Sequence, residues 1–305
     1  MAWIRHLIDQ HGCKQGLTIW SWRCSTKRLA TNQRLRRSGC NERSNKMLTI
    51  SGLFVYPIKS CQGVSLDDVI VRPYGLNHDR SFMIVDEHGQ FITQRSHPQL
   101  TSIAVRLIEG GLSLQHPACG EQVVYTDQST QTIVSVWQRQ TAAYDQGQAV
   151  AEYLSDIVGQ PVRLVYMCPS LAYSKGYQVL FQDAQPIHLV SESSLAHAQQ
   201  QIAGAAIDYR RFRPNIVVSG AVDAFAEDDW QRITTCGVSM HVQMPCERCN
   251  VPAINPDSGE HEEAVLDYLR RYRLPEGRRV SIFGVTTRVT KLGRLRVGDV
   301  MNVRL

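Results

Sequence analysis

The sequence lacks any run of about 18 apolar residues, so no segment reads as a membrane-spanning helix. It has no early apolar stretch followed by small residues, which removes a secretory signal. GxGxxG and GxxxxGK[ST] are both missing, so neither a Rossmann dinucleotide site nor a P-loop nucleotide site is expected. A second CxxC and an HxxxH are missing too, although a structural zinc site needs four ligands. Internal repeats and low-complexity tracts are absent from the body of the chain.

Acid is scarce in one place only. Residues 1–46 hold ten Lys/Arg against Asp9 and Glu42, while the other 259 residues carry 23 basic and 26 acidic side chains. The net charge of +5 is therefore a property of the first segment. The weakly acidic body gives no nucleic-acid footprint, which needs a strongly basic domain. Residues 1–46 also hold three of the five Trp and three of the nine Cys, with no sustained period of 2 or 3.6. This basic extension reads as disordered, as a transit-like peptide, or as sequence ahead of a natural start at Met47. The last reading is favoured, because MLTISGLFV opens a clean strand pattern. Nine cysteines is an odd count in a chain too long to need disulfide staples. They read as reduced thiols, and the expected location is cytoplasmic.

What is present from Met47 onward is mostly short strands between turn signals. Leu48–Val55 reads as a strand. Phe82–Val85 and Phe91–Gln94 flank Asp86-Glu87-His88-Gly89 as a hairpin, and Ile103–Ile108 and Leu112–Gln115 form a second. Further strands are expected at 123–126, 133–137, 187–190, 215–219, 239–243, 280–289 and 300–305. Helices are few. Val150, Tyr153, Leu154, Ile157 and Val158 share one helical face, stopped by Gly159 and Pro161. A second helix is expected over 193–202. A third runs through Val265, Tyr268, Leu269 and Tyr272, with acids at its start and arginines at its end. The expected class is α+β, β-rich and barrel-like. Cys168-Pro169 and Gly176 suggest a boundary, giving domains 47–170 and 171–305.

The sharpest chemistry is in MPCERCNVPAINPDSGE, residues 244–260, where Cys246 and Cys249 stand three apart. A redox pair usually opens a helix, which Pro252 opposes here. Cys61, Cys119, Cys168 and Cys236 are too scattered to complete a zinc site. A turn with two small thiols, a dithiol switch, and one thiolate acting as nucleophile or soft-metal ligand all remain open. Three other stretches gather cations: Tyr56–Ser60, Asp79–Phe82 and Tyr209–Asn215. Each alone reads as a solvated face; together they suit an anion pocket, since Arg and Lys bind phosphate well.

Taken in order, YPIKS, DRSF, FQDAQPIHLVSESSL, RFRPNIVVSG, FAEDDW, PCERC with NPDSG, and LRVGD resemble the MOSC-domain proteins. These are related to the C-terminal part of molybdenum cofactor sulfurase. The nearest subgroup in this resemblance is the bacterial N-hydroxylated-base reductases with the mitochondrial amidoxime reducing component. It covers about residues 48–305. The resemblance implies an N-terminal MOSC β-domain packed on a MOSC β-barrel, with a molybdenum-molybdopterin cofactor in a cleft between them. It implies Cys249 as the catalytic molybdenum ligand, with Cys246 off the metal. It implies cofactor contacts from Lys59 and Ser60, Arg80, Arg213 and Asn215, with Asp183 and Ser191 in the matching stretch. The implied activity is a detoxification-type oxidoreductase that reduces hydroxylamines, amidoximes and N-hydroxylated bases. Some bacterial relatives carry a C-terminal ferredoxin domain. This sequence ends at Leu305, so a separate donor protein is expected: a ferredoxin, a flavodoxin-like protein or a reductase. Family members often read Thr-Thr-Val after the ligand cysteine, where this chain has Asn250-Val251-Pro252-Ala253-Ile254, which leaves substrate preference open. The alternative is a binding module that carries the cofactor or sulfur on Cys249. Pyridoxal phosphate is not expected, since no lysine has a good Schiff-base context.

Overall fold

The computed structural model describes residues 48–174, 177–202, 207–220 and 222–305. The basic extension 1–46 and the boundary marker Gly176 lie outside the described residues. The chain is β-rich α+β, as expected, with four α-helices among the described residues.

Seven strands close into a barrel. Round its wall they run Ile216–Ser219, Ile187–Ser191, Ile282–Lys291, Val238–Glu247, Arg232–Thr235, Val300–Arg304 and Leu48–Val55. The last pairs back, antiparallel, onto the first, with Thr49 opposite Ser219 and Leu53 opposite Ile216. Inward-facing Leu48, Ile50, Leu53, Leu189, Ile216, Val218, Ile233, Met240 and Val285 fill the interior. One pair in the wall is parallel, Ile187–Ser191 with Ile216–Ser219. A parallel pair needs a crossover, and helices supply it. They are α2 (Glu192–Gln201) and α3 (Tyr209–Phe212).

Residues between the first barrel strand and the rest build a second layer. Phe82–Asp86, Val162–Tyr166, Arg139–Asp145 and Gln131–Val136 form one sheet, and Ala104–Ile108, Gly111–His116 and Gly120–Tyr125 form another. Helix α1 (Gln148–Val158) covers them, burying Val150, Leu154 and Val158. Gly159 ends it at φ 79°, the left-handed position that glycine takes without a Cβ penalty. Helix α4 (Glu263–Arg273) closes the barrel side, with Arg270, Arg271 and Arg273 in its last turn. Sheet membership cuts across position 170. Leu48–Val55 lies in the barrel wall, and Asp68–Arg72 pairs with Gly293–Arg296.

The first expected hairpin is not continued. Its turn forms, with Asp86 Oδ1 accepting from the N–H of His88 (2.9 Å) and of Gln90 (2.8 Å). After one bridge, Val85 to Phe91, the chain leaves the strand. The reason is Thr93, whose carbonyl accepts from the N–H of Ser96 (3.0 Å) and of His97 (2.9 Å) and folds 93–97 into a turn.

Candidate active site

Two loops meet where the layers join. Ile58 bridges Phe82, and the N–H of Lys59 donates to the Phe82 carbonyl at 2.9 Å. The N–H of Arg80 donates to the Tyr56 carbonyl at 2.8 Å. A third loop, after α3, adds Arg213 and Asn215. These loops line a cavity of about 710 Å³ that also contains Asp183, Cys246, Arg248 and Cys249. Seven of its lining residues are Lys or Arg and two are Asp or Glu, so the field inside attracts anions.

The backbone is strained here. Six non-glycine residues among the described residues have positive φ, and four of them line the cavity: Ser60 (73°), Arg80 (47°), Trp137 (55°) and Arg213 (53°). Such angles persist only where surroundings over-determine them, and they concentrate at functional sites.

The cationic floor is wired into the frame. Asp79 is fully buried, accepts from the Tyr56 N–H at 2.9 Å, and receives Arg80 Nη1 on both oxygens at 2.8 Å. Arg80 and Arg213 both stack on Tyr56, at 4.4 and 4.2 Å from the ring centre. Arg213 donates to the Cys61 carbonyl at 2.8 Å. Burial lowers its pKa to about 10, with Arg80 adding to the fall and Tyr56 opposing it. Burial likewise lowers the Lys59 ammonium, against the pull of Asp183. Lys59 donates to Asp183 at 2.6 Å and to the Phe181 carbonyl at 3.0 Å. Its surroundings push the Asp183 carboxyl up, but Lys59 and the Trp137 indole outweigh them and hold it at about 2.

Asn215 spends its amide on the frame. It accepts from the His188 N–H (3.1 Å) and Arg80 Nη1 (3.3 Å), and donates to the Phe54 carbonyl (3.1 Å). Ser191 does not line the cavity. It is fully buried, caps α2 by accepting from the Ser194 N–H at 3.2 Å, and binds the buried carboxylate of Glu227 at 2.9 Å.

The two cysteines are unequal. The partly buried Cys246 sulfur accepts from Arg248 Nη1 at 3.2 Å and lies beside His188, whose Nε2 is bonded to the Phe283 carbonyl at 3.0 Å. Burial raises this thiol, yet His188 and Arg248 outweigh it and bring it down to about 6. Cys249 is exposed on the cavity rim, and its sulfur makes no hydrogen bond among the described residues. Cys61 is buried and pushed up to about 12, an inert thiol. No group of three or more His, Cys, Asp or Glu side chains among the described residues is placed to hold a metal.

Family models fit nearly the whole described chain: the MOSC N-terminal beta barrel domain over residues 47–161 and the MOSC domain over 176–302. The chain belongs to the MOSC family. This MOSC chain is 32% identical over 279 residues to mitochondrial amidoxime reducing component 2 of Rattus norvegicus, covering 82% of each. It is 31% identical to the Bos taurus protein of that name, over 87% of this chain and 86% of the other. For the Homo sapiens protein the figures are 28%, with 82% of each covered.

Several cavity residues are not among those the sequence singled out. Trp137 donates to Asp183 at 2.7 Å, and Arg95 lies 4.8 Å over its ring. His188 lies beside Cys246, and Gln94 sits in the wall. Trp137 left a trace as one of two Trp in the body, at the end of an expected strand, and His188 lies within the FQDAQPIHLVSESSL motif.

Proposed function

We propose that this chain is a molybdenum-cofactor oxidoreductase that reduces N-hydroxylated compounds with electrons from a separate donor protein. One observation carries the proposal: Cys249, exposed and unbonded, lines the same cavity as Lys59, Ser60, Arg80 and Arg213. The family membership and the names of the relatives support it.

The residues fit a molybdenum–pterin phosphate. A metal held by one protein thiolate must take its other ligands from a cofactor, and the described residues offer no multidentate cluster. Sulfur suits that metal. The partly desolvated Arg213, with Lys59 and Arg80, would neutralise a terminal phosphate. When bound, the cofactor supplies two-electron chemistry: an N–O bond, two electrons and two protons give the reduced nitrogen compound and water.

The chain's own part is binding and orientation. Asp79 and Asn215 aim Arg80; Asp183, with Trp137 behind it, aims Lys59. Arg248 keeps the Cys246 sulfur on the wall, which leaves Cys249 as the free donor. The loop after Cys249 is pinned by the buried Arg211, which donates to Glu262 at 2.6 Å and to the Pro252 carbonyl at 3.3 Å. Asn250 and Val251 line the cavity next to Cys249 and so would bear on substrate choice.

The proposed compartment is the cytoplasm, where the six described cysteines, all free, would stay reduced. No helix among the described residues is long and apolar enough to cross a membrane. The named relatives are mitochondrial, so fractionation of the source cells is the direct check.

The test is molybdenum and released pterin per chain, in protein made by a host that synthesises the cofactor, beside Cys249→Ser. The expected result is about one metal per parent chain, loss in the variant, and donor-dependent amidoxime reduction by the parent. Loaded protein that turns over with no donor but hands cofactor to an acceptor would favour the carrier reading. No metal and no pterin in the parent would sink both.

A further inference from the structure

Three glutamines line the cavity, and they are used differently. Gln182 spends its amide on the frame, accepting from the Leu180 N–H at 2.6 Å and donating to the carbonyls of Tyr74 (3.3 Å) and Asp79 (3.1 Å). The Gln185 oxygen is likewise buried without a partner, but on a residue that is only half-buried as a whole. Gln94 is only 5% exposed, and its side chain makes no hydrogen bond among the described residues. Its Oε1 is buried and unpartnered. Buried amides in folded proteins are almost always bonded, and an orphan needs a reason. A leucine of similar volume would sit there without penalty.

The backbone that carries the amide is held in place. Thr93 ties the turn that carries it: its carbonyl accepts from Ser96 and His97, and its hydroxyl accepts from the Arg95 N–H and Nε, each at 3.3 Å. Gln94 faces both the main cavity and an adjoining pocket of about 80 Å³ beside Arg213, Cys61 and Gln62.

We infer that Gln94 is a recognition residue for the molecule seated in this cavity, reading a planar edge that sets a donor beside an acceptor. A glutamine amide pairs with such an edge through two parallel bonds. Two molecules of the proposed function present one: the pyrimidinone ring of the pterin and the amidoxime group of a substrate. Arg213 beside Gln94 favours the pterin, since a phosphate on the cationic floor brings the attached ring to this wall. The inference rests on the proposed function.

The experiment compares the parent with Gln94→Leu, both made in the pterin-synthesising host. It reads pterin per chain, the rate of pterin loss on dilution, KM and kcat for an amidoxime, and Tm of the unloaded proteins. A roughly tenfold faster pterin loss in Gln94→Leu, the size of one lost paired contact, assigns the pterin edge. Unchanged pterin retention with KM raised about tenfold and kcat kept assigns the substrate. In both cases the unloaded variant melts no lower than the unloaded parent, because no protein bond is lost. Unchanged retention and unchanged KM would overturn the inference while the proposed function stands, leaving water as the partner of Gln94. A lower Tm in both Gln94→Leu and Gln94→Met would overturn it as well, making the residue structural. A parent without pterin removes the proposed function first, and this inference with it.

Discussion

The cavity has two walls of opposite character. The floor built from Tyr56–Ser60, Asp79–Arg80 and Arg213–Asn215 is buried, strained and hydrogen-bonded at almost every polar atom. The strip from Cys246 to Val251 lies at the rim, half open, and Cys249 is exposed with its sulfur unbonded. A floor of fixed charges needs no reorganisation when an anion arrives. A free sulfur on the rim is completed only by what it binds. Positioning and reactivity are thus divided between two walls, and substitutions should separate them.

The largest effect should fall on the floor's support. Gly284 lies at φ +68°, and a Cβ there would stand 2.4 Å from the Leu189 carbonyl oxygen and 2.8 Å from His188 Nε2. Gly284→Ala is expected to cost at least about 3 kcal/mol, read by urea unfolding; a cost under half of that would mean the floor yields more easily than its bonding suggests. Asp79→Asn comes next. It leaves Arg80 without its carboxylate in a buried setting, at about 3–5 kcal/mol. Cys249→Ser, on the other wall, should stay within about 0.5 kcal/mol of the parent. Equal costs for these two variants would erase the contrast between the walls.

The third prediction concerns Cys246. Thiolate absorbance at 240 nm should rise with a midpoint of about 6, vanish in Cys246→Ser, and move up in Arg248→Met. The folded value lies below the ordinary thiol value of 9.0, so the thiolate adds stability above pH 9, and that share disappears as pH falls through about 6. A midpoint above 8 would remove the hold of Arg248 and His188. A small effect is also expected from Trp137→Phe, which deletes one of the donors to Asp183. Its carboxyl should titrate above about 2, with a loss of at most about 0.5 kcal/mol because the bond is exposed to solvent, followed by carboxyl NMR and thermal unfolding. That share is present above the ordinary carboxyl range and lost as pH falls through about 2.

Local chemistry made much of the fold legible. The face Val150, Leu154 and Val158 and the stop at Gly159 gave α1 its bounds to within two residues. The acid-first, arginine-last order of α4 was plain as well. The Phe91–Gln94 strand misled because its apolar residues fit a pleat, while the Thr93 turn is built from backbone bonds that leave no pattern. In the site, Lys59, Arg80, Arg213 and Cys249 stand in recognisable motifs and do share one cavity. The roles of Trp137, His188 and Gln94 could not be found this way. Trp137 meets Asp183 across 46 positions, and His188 reaches Cys246 from a neighbouring region of the barrel. Ser191 shows the reverse: a motif residue whose hydroxyl serves a helix cap.

The closure of the barrel has a consequence for synthesis. Leu48–Val55, near the start of the described chain, pairs with Val300–Arg304 near its end and with Ile216–Ser219 between. On the ribosome the early strand emerges long before either partner. One edge waits for residue 216; the other pairs early with Val64–Leu66 along Leu53–Val55 but waits for residue 300 along Leu48 and Thr49, so the wall cannot seal until residues 300–304 have emerged. An apolar strand with open edges is a template for wrong pairing. A chain cut a few residues short of 304 would therefore fail in the cell by aggregation, although every residue of its cavity is present.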